Sequence, residues 1–202
     1  MGGIRGYFDE LQRTLVNLPE EDIQCVIEIL ADARINRQQI FILGNGGSAS
    51  TASHFVCDLA KNTRRQDLPN FRVIGLTDNM AIFSALANDE GYESVFAQQL
   101  ASLLQPGDIV VAISASGNSP NVLRAVELAN QMGATTVGFT GFNGGQLKSM
   151  VSFGVHVQSD CIEHVEDIHL MLEHAISKEL RYIEYNWPVS IRVDEELRSA
   201  KS

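Results

Sequence analysis

The sequence contains little cysteine, and its cysteines follow no regular spacing. Cys25, Cys57 and Cys161 are the only three in 202 residues, and no two of them form a C-x-x-C pair. This pattern argues against a disulfide framework and fits free thiols in a reducing compartment. We therefore expect a cytoplasmic protein that is stabilised by an ordinary hydrophobic core.

Basic residues and long apolar runs are also scarce. Lys and Arg number 15 against 25 Asp and Glu, which gives a formal net charge of -10. Proteins that bind the nucleic-acid backbone carry clustered positive charge, so this balance argues against a nucleic-acid partner. No apolar run approaches the length that spans a bilayer, and we expect no membrane partner. A small anion can still bind at a local site.

Short apolar runs rich in β-branched residues alternate with segments of helix length. This alternation predicts an α/β fold, in which a doubly wound, five-stranded parallel sheet carries helices on both faces. The runs that predict the strands are residues 40–43, 73–76, 109–113, 135–139 and 155–157.

Amphipathic helices are predicted before the first strand and after the last strand of the sheet. Two of them, at residues 7–16 and 21–33, precede the first strand, and a long one at 162–185 follows the last. We divide the chain accordingly into three parts: an N-terminal two-helix arm that belongs to the same domain, the sheet domain and a polar C-terminal tail, at 1–37, 38–186 and 187–202.

A glycine-rich turn at residues 44–48 joins the first predicted strand to a helix. Glycines let the backbone approach a ligand, and the helix start directs N–H groups and a partial positive charge at it, so we expect an anion there. His54 and Asp58 fall one helical turn apart and project together. A loose dinucleotide-binding turn, a purely structural turn and a solvated His54–Asp58 ion pair remain as alternatives.

A second loop of the same kind follows the strand predicted at 109–113. It carries three serines within six positions, Ser114, Ser116 and Ser119. Ser hydroxyls, backbone N–H groups and a helix dipole at the carboxyl end of a strand satisfy a phosphate monoester without Lys or Arg. One serine is expected in any case as a helix N-cap, but three exceed what a cap needs. We therefore predict a phosphate site here.

Four short motifs follow one another along the chain: Gly-Asn-Gly-Gly-Ser at 44–48, Ala-Asn-Asp at 87–89, Ser-Ala-Ser-Gly-Asn-Ser at 114–119 and Thr-Gly-Phe-Asn-Gly-Gly at 140–145. In this order they resemble the motifs of the sugar isomerase (SIS) domain family, in particular its phosphoheptose isomerase branch. The resemblance runs from the N-terminal helices to about Tyr185. It implies a flavodoxin-like SIS fold and a homotetramer with active sites at subunit interfaces.

The resemblance also implies which residues hold the substrate. Ala115 stands where the family commonly has Thr, which removes a hydroxyl but keeps the backbone N–H. The implied phosphate contacts are Ser114, Ala115, Ser116 and Ser119. The implied sugar contacts are Asn45, Gly46, Gly47, Ser48, Asn88 and Asp89.

The family's reaction implies an aldose–ketose isomerase that converts sedoheptulose 7-phosphate to D-glycero-D-manno-heptose 7-phosphate through an enediol, supplying heptose for a surface polysaccharide. By position, the residues that match a zinc site are His54, Asp58, Glu166 and His174. Asp58, Glu166 and His174 match catalytic groups, and Glu166 also matches a substrate contact. Asp58 replaces the family's Glu and Glu166 replaces its Gln, so the base is either Asp58 or Glu166.

Glu166 and His174 raise a geometric problem. On one continuous helix their Cα atoms are separated by a rise of about 12 Å. Either the helix begins after Glu166, or the two side chains reach one site from different subunits. His156, His164 and His169 are interpreted as structural residues.

Two functions without catalysis stay open beside the isomerase. One is an SIS protein that binds the bacterial replication initiator DnaA, and the other is a sugar-phosphate sensor. Asp58 and His174 speak against the first, because the DnaA-binding relative lacks the acid and the second His.

Overall fold

A computed structural model describes residues 3–183 of the chain. Its centre is one five-stranded sheet in the order β2-β1-β3-β4-β5, and every pair of neighbouring strands is parallel. This confirms the predicted doubly wound parallel sheet. The strands are β1 Gln39–Gly44, β2 Arg72–Gly75, β3 Ile109–Ser114, β4 Thr135–Thr140 and β5 Phe153–His156.

Helices cover both faces of the sheet. A π-helical segment, Asp58–Asn62, continues directly from α3, and a 3-10 turn at Tyr92–Ser94 precedes α5. The α-helices of the described residues are α1 Ile4–Val16, α2 Glu20–Ile35, α3 Gly47–Cys57, α4 Met80–Asp89, α5 Val95–Leu103, α6 Pro120–Gln131, α7 Leu147–Met150 and α8 Ile162–Tyr182. The end predicted for the last helix at Tyr185 and the tail at 187–202 lie outside the described residues.

The alternation of side chains along the strands builds two apolar layers. Ile40 and Ile42 of β1 pack in the layer that includes α2, α3 and α8, whereas Phe41 and Leu43 pack in the layer that includes α5 and α6. All six residues of the central strand β3 are buried, as expected for a parallel strand that is covered on both faces.

None of the helices within residues 3–183 has both the length and the apolar character needed to cross a membrane. All three cysteines are free thiols, as their spacing predicted.

Candidate active site

The two predicted ligand loops lie side by side at the carboxyl edge of the sheet. β1 and β3 are neighbours, with Gly44 paired to Ile113, so the loop at 44–48 meets the loop at 114–119. The chain leaves β1 toward β2 and leaves β3 toward β4, in opposite directions across the sheet. Open α/β sheets bind their ligands at such a switch point.

The loop after β1 brings bare backbone to the site. Gly46 precedes α3 with φ of 55°, a left-handed conformation that favours glycine. Gly47 and Ser48 form the first turn, whose N–H groups have no acceptors within the helix itself. A Cβ on Gly47 would lie 2.5 Å from Glu166 Oε2, so the glycine allows this carboxylate to reach the start of α3.

The loop after β3 gathers hydroxyl groups. The Oγ atoms of Ser114, at the end of β3, and Ser119, which precedes α6, lie 3.5 Å apart. Ser116 Oγ accepts the Asn118 N–H at 3.3 Å, and Ala115 is buried. The motif at 140–145 packs closely against this loop, because a Cβ on Gly117 would overlap the Gly144 carbonyl oxygen.

Asn88 and Asp89 occupy the exposed end of α4 rather than either loop. The Asn88 side-chain amide donates to Asp89 Oδ1 at 2.6 Å. No residue of α4 is buried in the single chain. Substrate contact by this pair stays a prediction.

Four ionisable side chains of α3, the π-helical segment and α8 meet at one point. They are His54, Asp58, Glu173 and His174, and one ligand atom from each lies within 4.8 Å of those of the others. His54 Nε2 lies 3.3 Å from His174 Nε2. His54 Nε2 also lies 3.8 Å from Asp58 Oδ1 and 3.7 Å from Glu173 Oε1.

This donor set fits a zinc ion. Two imidazole nitrogens and two carboxylate oxygens are ligands that zinc takes, and tetrahedral ligands at about 2.0 Å from the metal lie about 3.3 Å apart. Glu173 is 0% exposed, and neither of its oxygens has a hydrogen-bond partner among the described residues. A buried carboxylate without partners is costly unless it binds a cation or a proton.

Comparison with known proteins agrees with the motifs. The SIS domain family matches residues 6–141. A probable phosphoheptose isomerase of Thermoplasma acidophilum is 37% identical over 84% of this chain and 93% of its own length. The phosphoheptose isomerase of Aquifex aeolicus is 35% identical over 83% of this chain and 87% of its own length.

The chain belongs to the SIS domain family. Within that family its similarity is to phosphoheptose isomerases, as the motifs predicted. A solved phosphoheptose isomerase from Francisella tularensis superposes with a TM-score of 0.82 at 28% identity, over 89% of this chain and 97% of that one. The phosphoheptose isomerase structure from Neisseria gonorrhoeae gives a TM-score of 0.80 at the same identity and the same coverage.

Glu166 lies outside the four-residue cluster of this SIS domain. Helix α8 runs unbroken from Ile162 to Tyr182, which excludes a helix that begins after Glu166. The Glu166 carboxylate lies against Gly47 of the first ligand loop instead. Within one chain the Glu166 carboxylate therefore lies at the first ligand loop, and its roles as a sugar contact, metal ligand or base stay predictions.

Glu173 is the site residue that the sequence reasoning missed. Its neighbour His174 is among the positions that the family resemblance covers, whereas Glu173 is not. A signal was present, since Glu173 falls in phase with Ile168, Leu172 and Ile176 on the buried face of α8. A carboxylate on an apolar helix face needs a partner, and here that partner is the cluster.

Burial sets the protonation of two side chains of α8. Burial, with a smaller contribution from the Asp58 charge, raises the pKa of Glu173 from 4.5 to about 8. Burial lowers the pKa of His169 from 6.5 to about 4, so this histidine is neutral at pH 7. His164 is also buried, at 2% exposure, in accord with the structural role expected for both histidines.

Proposed function

We propose that this chain is an aldose–ketose isomerase that converts sedoheptulose 7-phosphate to D-glycero-D-manno-heptose 7-phosphate. The observation that carries the proposal is the cluster of His54, Asp58, Glu173 and His174 in a fold with two ligand loops. Relatives that match more than four fifths of the chain are named phosphoheptose isomerases. A proton-transfer centre beside a phosphate site is what such a reaction needs.

The phosphate of the sugar binds at the loop after β3. Ser114, Ser116 and Ser119 supply hydroxyl donors, and Ala115 supplies its backbone N–H. The start of α6 adds a partial positive charge. The sugar extends over residues 45–48 and Glu166, with Asn88 and Asp89 as further contacts, and this places the carbonyl end away from the phosphate.

Asp58 acts as the base and His174 as the acid. The Asp58 carboxylate removes a proton from C1 of the ketose, the C–H electrons form the C1=C2 bond, and the C2 oxygen takes a proton from His174. The resulting enediol returns the O1 proton to His174 while protonated Asp58 delivers its proton to C2, which yields the aldose. The Asn62 side-chain amide donates to Asp58 Oδ1 at 2.5 Å and keeps the carboxylate oriented.

His54, Asp58, Glu173 and His174 are the residues that would hold a zinc ion; His174 would bind it through Nε2 and Asp58 through one oxygen, which would leave His174 Nδ1 and the second Asp58 oxygen for proton transfer. Bound zinc would supply a Lewis acid for the oxygen that becomes negative during enolisation. Because Glu173 binds a proton with a pKa of about 8, loading the site requires release of that proton, and metal affinity rises with pH up to this value.

The chain is further proposed to act as a homotetramer with active sites at subunit interfaces. Ile4, Phe8 and Val16 of α1 are 74%, 56% and 80% exposed, although they are large apolar side chains. Helix α4 buries no residue within the chain. A second subunit that covers such surfaces would also allow Glu166 of one chain to approach the cluster of another.

No observation favours a sensor or a DnaA-binding partner over the isomerase. Both groups that the non-catalytic relative lacks are present here, and both lie in the cluster.

A substrate panel tests the proposal. The zinc-loaded chain is incubated with sedoheptulose 7-phosphate, fructose 6-phosphate and unphosphorylated sedoheptulose, and aldose formation is followed by NMR of the anomeric proton. Turnover of the seven-carbon phosphate is expected to exceed that of the other two by at least about 100-fold, since the phosphate contacts orient the reacting carbons. Ser119→Ala should lose turnover, whereas Ser102→Ala, at an exposed position of α5, should not. Equal turnover of the unphosphorylated sugar would reject the phosphate site.

A further inference from the structure

The side chain of Asn45 forms a closed amide pair with Asn121 of the neighbouring loop. Asn45 Nδ2 donates to Asn121 Oδ1 at 2.8 Å, and Asn121 Nδ2 donates to Asn45 Oδ1 at 2.9 Å. Asn121 lies in the first turn of α6 and is 1% exposed. The pair therefore ties the loop after β1 to the helix that follows the phosphate loop.

A backbone donor fixes the orientation of both amides. The Val122 N–H donates to Asn121 Oδ1 at 3.0 Å. A backbone N–H can only donate, so the oxygen of Asn121 must point to α6 and its nitrogen must point to Asn45. Asn45 in turn has to present its oxygen to that nitrogen.

Tyr92 occupies the remaining acceptor position of Asn45. Its hydroxyl donates to Asn45 Oδ1 at 2.9 Å. A carbonyl oxygen has two lone pairs, and those of Asn45 are filled by Asn121 and Tyr92. The nitrogen of Asn45 carries two hydrogens, of which Asn121 takes one. One N–H is left, and it is the only hydrogen-bonding group that the Asn45 side chain offers to a ligand.

The same residues line an open cleft beside the phosphate loop. Asn45, Tyr92, Ser119 and Asn121 border this cleft, whose volume is about 460 Å³. A volume in this range suits a ligand the size of a sugar phosphate. The oriented amide of Asn45 therefore meets the substrate region.

We propose that Asn121 and Tyr92 are positioning residues that hold Asn45 as a hydrogen-bond donor, so that the site selects an acceptor oxygen of the sugar phosphate at this point. This proposal rests on the proposed function, which supplies the identity of the ligand. Neither residue touches the reacting carbons; each acts through Asn45. A site with a freely rotating Asn45 would accept a donor or an acceptor equally well.

Asn121→Asp is the sharpest variant, because it keeps the size of the side chain and the acceptor for the Val122 N–H. It replaces the nitrogen that donates to Asn45 Oδ1 with an oxygen, so the Asn45 amide loses the donor that fixes its orientation and no longer presents its N–H reliably to the ligand. We expect affinity for sedoheptulose 7-phosphate to fall by about tenfold or more. Tyr92→Phe removes one donor and keeps the ring, and we expect a loss of about threefold.

The measurement is calorimetric titration of the full-length, zinc-loaded protein with sedoheptulose 7-phosphate. Asn130→Asp is the matched control, because Asn130 lies near the other end of α6 and donates to the Met150 carbonyl. It should bind as the wild type does. Asn121→Asp is also combined with Asn45→Ala, and no further loss is expected in that background, since the residue acts through Asn45.

Either of two results would overturn the positioning role. One is an Asn121→Asp variant that binds with wild-type affinity. The other is an equal loss with and without Asn45, which would show a purely structural effect. Calorimetry is independent of turnover: a wild type that binds the sugar phosphate but forms no aldose rejects the isomerase and leaves this inference standing. A wild type that binds no sugar phosphate rejects both.

Discussion

Glu173 places an ionisable side chain in the apolar layer of α8, where it is 0% exposed. Its pKa of about 8 lies above the ordinary 4.5, because burial and the Asp58 charge disfavour the carboxylate. In metal-free protein, the folded state therefore holds a proton at pH 5–7 that the unfolded state has released. Stability falls as the pH rises toward 8 wherever the folded state binds more protons.

The first prediction follows from this loss of stability with rising pH. In metal-free protein, the free energy of unfolding of the wild type should fall between pH 5 and pH 8 by about 3 to 4 kcal/mol more than that of Glu173→Gln, which cannot ionise. Urea unfolding at a series of pH values measures the difference. Glu179→Gln, an exposed position on the same helix, should keep the wild-type profile. Parallel profiles for wild type and Glu173→Gln would show that Glu173 is ionised throughout.

At this scale the sequence predicted three of the four residues in the cluster and missed the fourth. His54, Asp58 and His174 carried family positions, whereas the location of Glu173 depends on how α8 rotates against α3. The orientation of α8 about its own axis is set by packing, and in the sequence only the spacing of the apolar residues along α8 indicates it.

A buried arginine of α2 holds the end of the π-helical segment that continues from α3. The segment begins at Asp58 and is followed by Thr63, whose carbonyl accepts Arg34 Nη2 at 2.9 Å. Arg34 Nε donates to the Pro69 carbonyl at 2.7 Å, and the guanidinium lies 4.9 Å from the Phe71 ring centroid. At 1% exposure, this side chain stabilises the fold only because its donors are satisfied.

The second prediction concerns this arginine. Arg34→Met should lower the free energy of unfolding by about 2–4 kcal/mol, because buried carbonyls lose their donor. Chemical denaturation measures the change. Arg13→Met should change stability by less than about 0.5 kcal/mol, since Arg13 is exposed and its ion pair with Glu10 is weak. Equal stability of Arg34→Met and wild type would remove Arg34 from the account of the fold.

The regular strands and helices were predicted more completely than the π-helical segment. Apolar runs and caps located all five strands and the helices α1, α2 and α8 to within a few residues. The π-helical segment at Asp58 was not predicted, because one extra residue in a helical turn leaves no periodic signal.

At the scale of the whole molecule, residues 3–183 expose apolar surface that the other residues of this range leave uncovered. α1 and α4 lie on different parts of the chain, and both present large apolar side chains, among them Phe8 at 56% and Met80 at 64% exposure. Patches of this kind mark surfaces that bind other proteins. Sequence periodicity predicted α1 but could not say what packs on it, because an apolar helix face has the same sequence pattern whether it packs on its own sheet or on a partner.

The third prediction concerns assembly. Phe8→Glu should reduce the particle mass toward that of one 22.2 kDa chain and abolish isomerase activity, while the circular dichroism of the sheet and helices is kept. Light scattering after size exclusion measures the mass. Leu103→Glu on α5 introduces the same charge at an exposed apolar position associated with the other sheet face and should stay assembled. A fully active monomer would contradict active sites built at interfaces.

The most direct test of the central claim is the zinc dependence of turnover. Protein stripped with a chelator is titrated with zinc, and formation of D-glycero-D-manno-heptose 7-phosphate is followed at each addition. We predict that activity disappears on stripping, returns in proportion to zinc and reaches its plateau at about one ion per chain, as one site built from His54, Asp58, Glu173 and His174 requires. Full turnover by the stripped protein, or no turnover with one zinc ion bound per chain, would contradict the account.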